Sequence, residues 1–129
     1  MKRVVFSGSV KNYPAIKPWA ELLKRRNIDV YLPSMKIDPK DFAQLTPTRQ
    51  LELKREFMLE HNLQIDRADI LFLFNPGGYV GNSVTLEIGY AMGRKKLIYA
   101  LHFDNEFGRE GAYAGHCSTP SELLAVLKD

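Results

Sequence analysis

Short apolar runs alternate along this chain with longer stretches in which apolar residues recur at helical spacing. The runs Arg3–Phe6, Ile28–Leu32, Asp69–Phe74 and Lys96–Leu101 are too short for helices and read as strands. Between them, Ile16, Trp19, Ala20, Leu22 and Leu23 form the inward face of a helix predicted from Pro14 to Arg26. Thr46-Pro47 opens a long helix to Arg67, with Phe57, Met58, Ile65 and Ala68 on one stripe and His61 on that same stripe. Val84, Ile88, Ala91 and Met92 predict a further helix ending near Gly93, its start capped by Asn82 or Ser83. Thr119-Pro120-Ser121-Glu122 is a capping box for a last helix from Pro120 to Lys128. Residues 34–46 read as an irregular excursion with a short helix after Pro39. The segment from His102 to Gly115 shows no periodicity, and a short strand fits around Ala114–Cys117.

Strands alternating with helices imply an α/β fold with a mostly parallel sheet covered on both faces. Right-handed crossovers give a flavodoxin/Rossmann-like three-layer sandwich of four or five strands in the order 2-1-3-4(-5). Strands one and three are then neighbours at the point where the chain reverses its winding. Ligands of open α/β sheets bind beyond the strand ends at such a point. The crevice there is lined by Ser7-Gly8-Ser9 from one strand and by the stretch Asn75–Ser83 from the other.

Composition narrows the picture. The 129 residues, 45% of them apolar, make one domain spanning 1–129. A net charge of +3 is modest, and the short basic runs Lys24–Arg26 and Arg94–Lys96 fall at predicted helix C-termini, where cations complement the dipole. Neither a nucleic-acid polymer nor a membrane surface is the expected partner. Only one cysteine, Cys117, is present, so no internal disulfide forms and a reducing compartment fits. No signal peptide is evident, and no segment approaches the roughly 18 to 20 apolar residues of a membrane span, so a cytoplasmic location is expected.

Chemistry concentrates in Asn75–Gly93, where a strand ends in a glycine-rich loop feeding a helix. Glu87 stands at the end of that helix's first turn, either as an acid favoured by the helix dipole or as a nucleophile or base facing the crevice. Gly77, Gly78 and Gly81 offer a backbone that a ligand can approach closely. Asn82 and Ser83 suit helix capping, anion binding, or both. Lys11 and Tyr13 follow the first strand's turn within reach of a sugar or phosphate, or serve as ordinary loop and helix-start residues. Asp66 and Asp69 belong at the other end of the third strand and read as structural. His102, His116 and Cys117 match no strong metal-binding pattern, so no metal is expected.

These residues resemble the nucleoside 2-deoxyribosyltransferase superfamily, which includes the 2'-deoxynucleoside 5'-phosphate N-hydrolases. Phe6-Ser7-Gly8-Ser9 is similar to the family's first-strand turn, and Ile65-x-x-Ala68-Asp69-Ile70 to the approach to its third strand. Glu87-Ile88-Gly89-Tyr90-Ala91 is similar to the segment carrying the catalytic glutamate. The resemblance implies Glu87 as a nucleophile attacking C1' of a deoxyriboside, through an oxocarbenium-like state to a covalent glycosyl-enzyme. It also implies a homodimer or higher assembly, a nucleoside or nucleotide as substrate, and no cofactor. The substrate-binding set it suggests is Ser7, Gly8, Ser9, Tyr13, Asn75, Gly78, Gly81, Asn82 and Ser83.

One position departs from the family. The aspartate that assists the leaving base lies eight residues before the acid matched to Asp69, and here that residue is His61. Eight helical residues rise about 12 Å, close to the length of a short strand, so His61 is expected at the pocket end of the sheet. A histidine with its reference pKa near 6.5 can protonate a leaving base, and it can equally be a packed helix residue. The swap also fits a module that binds nucleotides without cleaving them. A third reading takes Pro76-Gly77-Gly78 with Glu87 as similar to the signature of cytokinin-type ribonucleotide phosphoribohydrolases, with longer spacing and Gly81-Asn82 in place of glycine-threonine.

Overall fold

The computed structural model describes residues 1–33 and 37–128. Five strands form one parallel sheet, β1 (Arg3–Ser7), β2 (Asp29–Tyr31), β3 (Ile70–Leu73), β4 (Leu97–Ala100) and β5 (Gly115–His116), in the order β2-β1-β3-β4-β5. The flavodoxin/Rossmann-like order expected from the crossovers is therefore the observed one, with β5 as the fifth strand.

The central strands are buried on both faces, as parallel strands under helical layers must be. Val4, Phe6, Ile70 and Phe72 point to one side, where α1 (Tyr13–Arg25) and α6 (Pro120–Lys128) cover them. Trp19 of α1 stacks on Phe72 at 5.0 Å between ring centroids and meets Phe74 edge-on at 5.8 Å. Val5, Leu71 and Leu73 point the other way, against α3 (Pro47–Arg67) and α4 (Asn82–Gly93). Period-two alternation along β1 and β3 thus feeds two separate cores.

The excursion before α3 contains the expected short helix, α2 (Pro39–Ala43), started by the Asp38 side chain; residues 34–36 of it lie outside the described residues. The aperiodic segment after β4 holds one short helix, α5 (Phe107–Glu110). Three expectations need correction.

The inward stripe of α3 is shorter than its apolar spacing suggests. Only His61, Gln64 and Ile65 are buried within the helix, while Met58 is 39% exposed. The cause is length: 21 residues rise about 31 Å, whereas the five residues of β1 span about 17 Å. Because α3 runs antiparallel to the strands and ends where β3 begins, its N-terminal half overhangs the strands' C-terminal ends. Leu51, Leu59 and Leu63, off the inner stripe, are exposed on this helix.

The cap of α4 is Gly81, not Asn82 or Ser83, and no side chain bonds to its free N–H groups. Thr85 ties the turn by donating its hydroxyl to the Gly81 carbonyl at 2.8 Å.

The glycine turn before α4 serves the fold. Gly77 and Gly78 both adopt left-handed backbone, at φ 67° and 81°. Gly78 is buried, and a Cβ there would collide with the Phe103 carbonyl and lie 2.7 Å from Asn105 Oδ1. Close packing of two loops, rather than a ligand, accounts for this glycine.

Candidate active site

Beyond the C-terminal ends of β1 and β2, the overhang of α3 and the start of α4 enclose a cavity of about 520 Å³. Its floor and walls include Gly8, Tyr31, Pro33, Lys54, Met58, Glu60, His61, Ser83 and Glu87. Gly8 is confined by the crossing of the strand tips, since a Cβ would sit 2.8 Å from the Phe74 carbonyl oxygen.

At the base of the cavity β1, α3 and α4 bring three polar side chains together. Ser7, the last residue of β1, is fully buried, and its Oγ lies 3.0 Å from His61 Nε2. The same nitrogen is 3.6 Å from Glu87 Oε2. The register explains the meeting. Asp69 accepts a bond from the Arg3 backbone N–H at the start of β1, and the helix climbing back from there reaches the level of Ser7 at His61.

The electrostatics of this trio differ from expectation. Glu87 is the sixth residue of α4, beyond the first turn, so the helix N-terminus does little for its charge. Burial dominates and raises its pKa to about 7, with the Ser7 hydroxyl pulling the other way. Its Oε2 is buried and makes no hydrogen bond among the described residues. His61 is driven down to about 4 by burial. It is therefore neutral at physiological pH, not the imidazolium donor that a reference pKa of 6.5 suggests.

The other candidates divide. Gly8, Ser83, His61 and Glu87 line the cavity. Ser9 instead accepts a backbone bond from Lys11 at the turn after β1, and Lys11 lies over the Tyr79 ring. Tyr13 packs against the α1-side core with its hydroxyl buried and unbonded, and burial raises its pKa to about 12. Gly81 and Asn82 form the start of α4 without lining the cavity. Gly78 faces the 103–105 loop, as above. Asn75 is buried, with its amide donating one hydrogen to the His102 carbonyl and accepting from the His102 N–H, both at 3.0 Å. It clamps the tips of β3 and β4 together and does not line the cavity.

At the far end of the sheet, Asp66 accepts bonds from Tyr90 and Arg94. Tyr90, within the segment that resembles the family's catalytic stretch, is thus a tie between α3 and α4. His102 Nδ1 accepts from the Gly77 N–H, and His116 pairs with Glu110 at 2.9 Å.

The sequence reading passed over Tyr31, Lys54, Arg55 and Glu60. Tyr31 ends β2 beside the switch point and meets the His61 ring edge-on at 5.8 Å. Its place at a strand terminus next to β1 was the available signal. The α3 residues gave none, because only the overhang brings them to the cavity.

No protein-family model and no curated protein matches the chain. Solved structures match it over nearly its full length. A conserved protein from Enterococcus faecalis superposes with a TM-score of 0.70 at 19% identity, covering 99% of this chain and 98% of that one. A 2-deoxyribosyltransferase from Bacillus psychrosaccharolyticus gives 0.64 at 11% identity, over 97% and 95%. The chain has the nucleoside 2-deoxyribosyltransferase-like fold. A CMP N-glycosidase from Clostridium botulinum shares it with a TM-score of 0.54 at 20% identity, over 98% of both chains. Among the described residues, no helix is long and apolar enough to cross a membrane.

Proposed function

We propose that this chain cleaves, or transfers across, the N-glycosidic bond of a nucleoside or nucleotide, with Glu87 as the nucleophile. The observation that carries this reading is a carboxylate in a cavity wall with one buried oxygen that, among the described residues, has neither a hydrogen-bond partner nor a Lys or Arg ion pair. A carboxylate left short of partners is a better nucleophile than one locked in an ion pair. Attack on C1' would form a glycosyl ester while the C1'–N bond breaks and its electron pair leaves with the base. Water or a second base then takes the sugar. The similarity to a CMP N-glycosidase and a 2-deoxyribosyltransferase supports the bond type and leaves the choice of acceptor to experiment.

The test is chromatography of the purified protein with deoxynucleosides, their 5'-monophosphates and CMP, with and without a free acceptor base. Base release or exchange that Glu87→Ala abolishes is expected. No turnover of any substrate by the wild type defeats the reading.

A second reading is favoured by His61. A neutral imidazole is a poor acid for the leaving base. A nucleotide-binding module that keeps the cavity without the chemistry predicts thermal stabilisation by nucleotides that are not consumed. The phosphoribohydrolase alternative gains nothing from the site, since the Pro76–Gly78 turn lies outside the cavity lining.

A further inference from the structure

The two flanks of α3 face different walls of the cavity. Asp66 accepts from Tyr90 of α4, and Asn62 and Met58 lead back along that flank in steps of one turn. The other flank carries Phe57, Glu60 and Gln64, three and four residues apart. Gln64 is buried and accepts a bond from the Arg3 guanidinium, which also pairs with Asp29 of β2 at 3.3 Å. This flank therefore looks toward β1 and the edge strand β2. Gln64 in turn donates from Nε2 to Glu60 Oε1 at 3.1 Å, and among the described residues Glu60 makes no other hydrogen bond. Tyr31, at the end of β2, faces the same place: its phenol is held un-ionised by burial first, then by the charges of Glu60 and Glu87. His61 stands between the two walls. Its Nε2 is 3.6 Å from Glu87 Oε2, and its ring centroid is 5.8 Å from that of Tyr31.

Displacement at C1' puts the leaving base on the side away from the attacking carboxylate. The placement rests on Glu87 as the nucleophile: attack then comes from α4, and the base faces the β2 side. That wall consists of Tyr31, Pro33, Phe57 and Glu60, two aromatic rings, a proline and one carboxylate, all lining the cavity. Aromatic rings stack on any base and do not tell one from another. A carboxylate offers only acceptors, so it takes a hydrogen bond from an amino group and repels a carbonyl. We propose that Glu60 is the specificity-determining residue of a base subsite on the β2 side, where it selects bases bearing an exocyclic amino group. Cytosine and adenine are then preferred to their carbonyl counterparts, uracil and hypoxanthine. Gln64 is a positioning residue that fixes Glu60 Oε1 and leaves Oε2 for the base. Lys54 and Arg55 also line the cavity, but the members of each such pair share sugar and phosphate, so these cations bear on both alike.

Equilibrium binding to Glu87→Ala, in which the proposed chemistry cannot consume the ligand, tests the subsite with dCMP against dUMP and dAMP against dIMP. The amino member of each pair is expected to bind about 10-fold more tightly, the scale of one hydrogen bond to a charged group. Adding Glu60→Gln, whose amide both donates and accepts, brings each ratio close to unity. Adding Gln64→Leu, which releases Glu60 from its tether, lowers the ratios without abolishing them. Adding Phe57→Ala weakens all four ligands together and leaves the ratios unchanged. A general loss of structure would behave like Phe57→Ala, so a changed ratio reports on Glu60 itself. Equal binding within both pairs, ratios unmoved by Glu60→Gln, or no binding of any of the four overturns the proposal. Absence of turnover by the wild type, with the ratios as expected, would defeat the enzyme reading and leave the subsite standing. Turnover that discriminates within neither pair would defeat the subsite alone.

Discussion

Glu87 and His61 face each other with their ordinary protonation order inverted. The carboxyl is raised to about 7 and the imidazole lowered to about 4, both chiefly by burial. A nucleophilic Glu87 must be ionised, so kcat/KM is expected to fall about tenfold per pH unit below pH 7. His61 contributes no limb between pH 5 and 9. A limb near pH 4.5 would show that Glu87 is solvated in solution. Glycine positions allow a similar discrimination. Gly77→Ala meets open space and pays only for left-handed backbone, about 1–2 kcal/mol. Gly78→Ala adds a collision with the Phe103 carbonyl, so a loss on the order of 3 kcal/mol or more is expected in denaturant unfolding. Equal losses at both positions would mean that the 103–105 loop gives way freely.

At the scale of elements, α3 has two jobs in series. Its C-terminal half is a core helix and its N-terminal half is the cavity wall. Ile65→Ala, at a fully buried position, should cost about 2–5 kcal/mol of stability. Met58→Ala, two turns earlier and partly exposed, should cost under about 1 kcal/mol and instead raise KM by ~3–10-fold. Thermal unfolding alongside steady-state kinetics separates the two effects. A Met58→Ala protein with unchanged KM and a large drop in Tm would reverse the division drawn here. The same helix shows what the sequence left hidden. Its apolar spacing predicts one continuous inner stripe, because periodicity reports a face and says nothing of how much sheet lies under it.

For the molecule as a whole, the strand order was legible because parallel strands, short loops and crossover handedness leave few arrangements. Of the crevice lining expected from Ser7–Ser9 and Asn75–Ser83, by contrast, only Gly8 and Ser83 line the cavity, which lies under α3 instead. The eight-residue offset from Asp69 was enough to bring His61 to the level of Ser7. Asn75 and Gly78 misled for a physical reason: a polar amide and a strained glycine at a strand tip look alike whether they hold a ligand or another loop, and here the other loop is 102–105. Protonation states were out of reach, because they depend on burial that no local pattern records. Their inversion has a consequence for global stability. Glu87, at 4.5 when unfolded and about 7 when folded, contributes stability that is present at low pH and is lost as pH rises from 4.5 to 7. His61, at 6.5 unfolded and about 4 folded, contributes stability that is present above 6.5 and is lost as pH falls to 4. Between pH 4.5 and 6.5 the two slopes oppose each other. Asp66 is held below the ordinary carboxylate range by Tyr90 and Arg94. Asp104 is also held below it, its burial outweighed by bonds from Arg109 and Tyr113; both act at lower pH and equally in each variant. Tm of the wild type should therefore be nearly flat across that window. Removing Glu87's titration with Glu87→Gln leaves the histidine slope, so stability should climb by about 2 kcal/mol from pH 4.5 to 6.5. His61→Asn leaves the carboxyl slope, and stability should fall by a similar amount over the same range. Thermal melts of the three proteins at half-unit steps decide the matter: parallel curves would mean that neither group is shifted by folding, while curves diverging in opposite directions require both shifts.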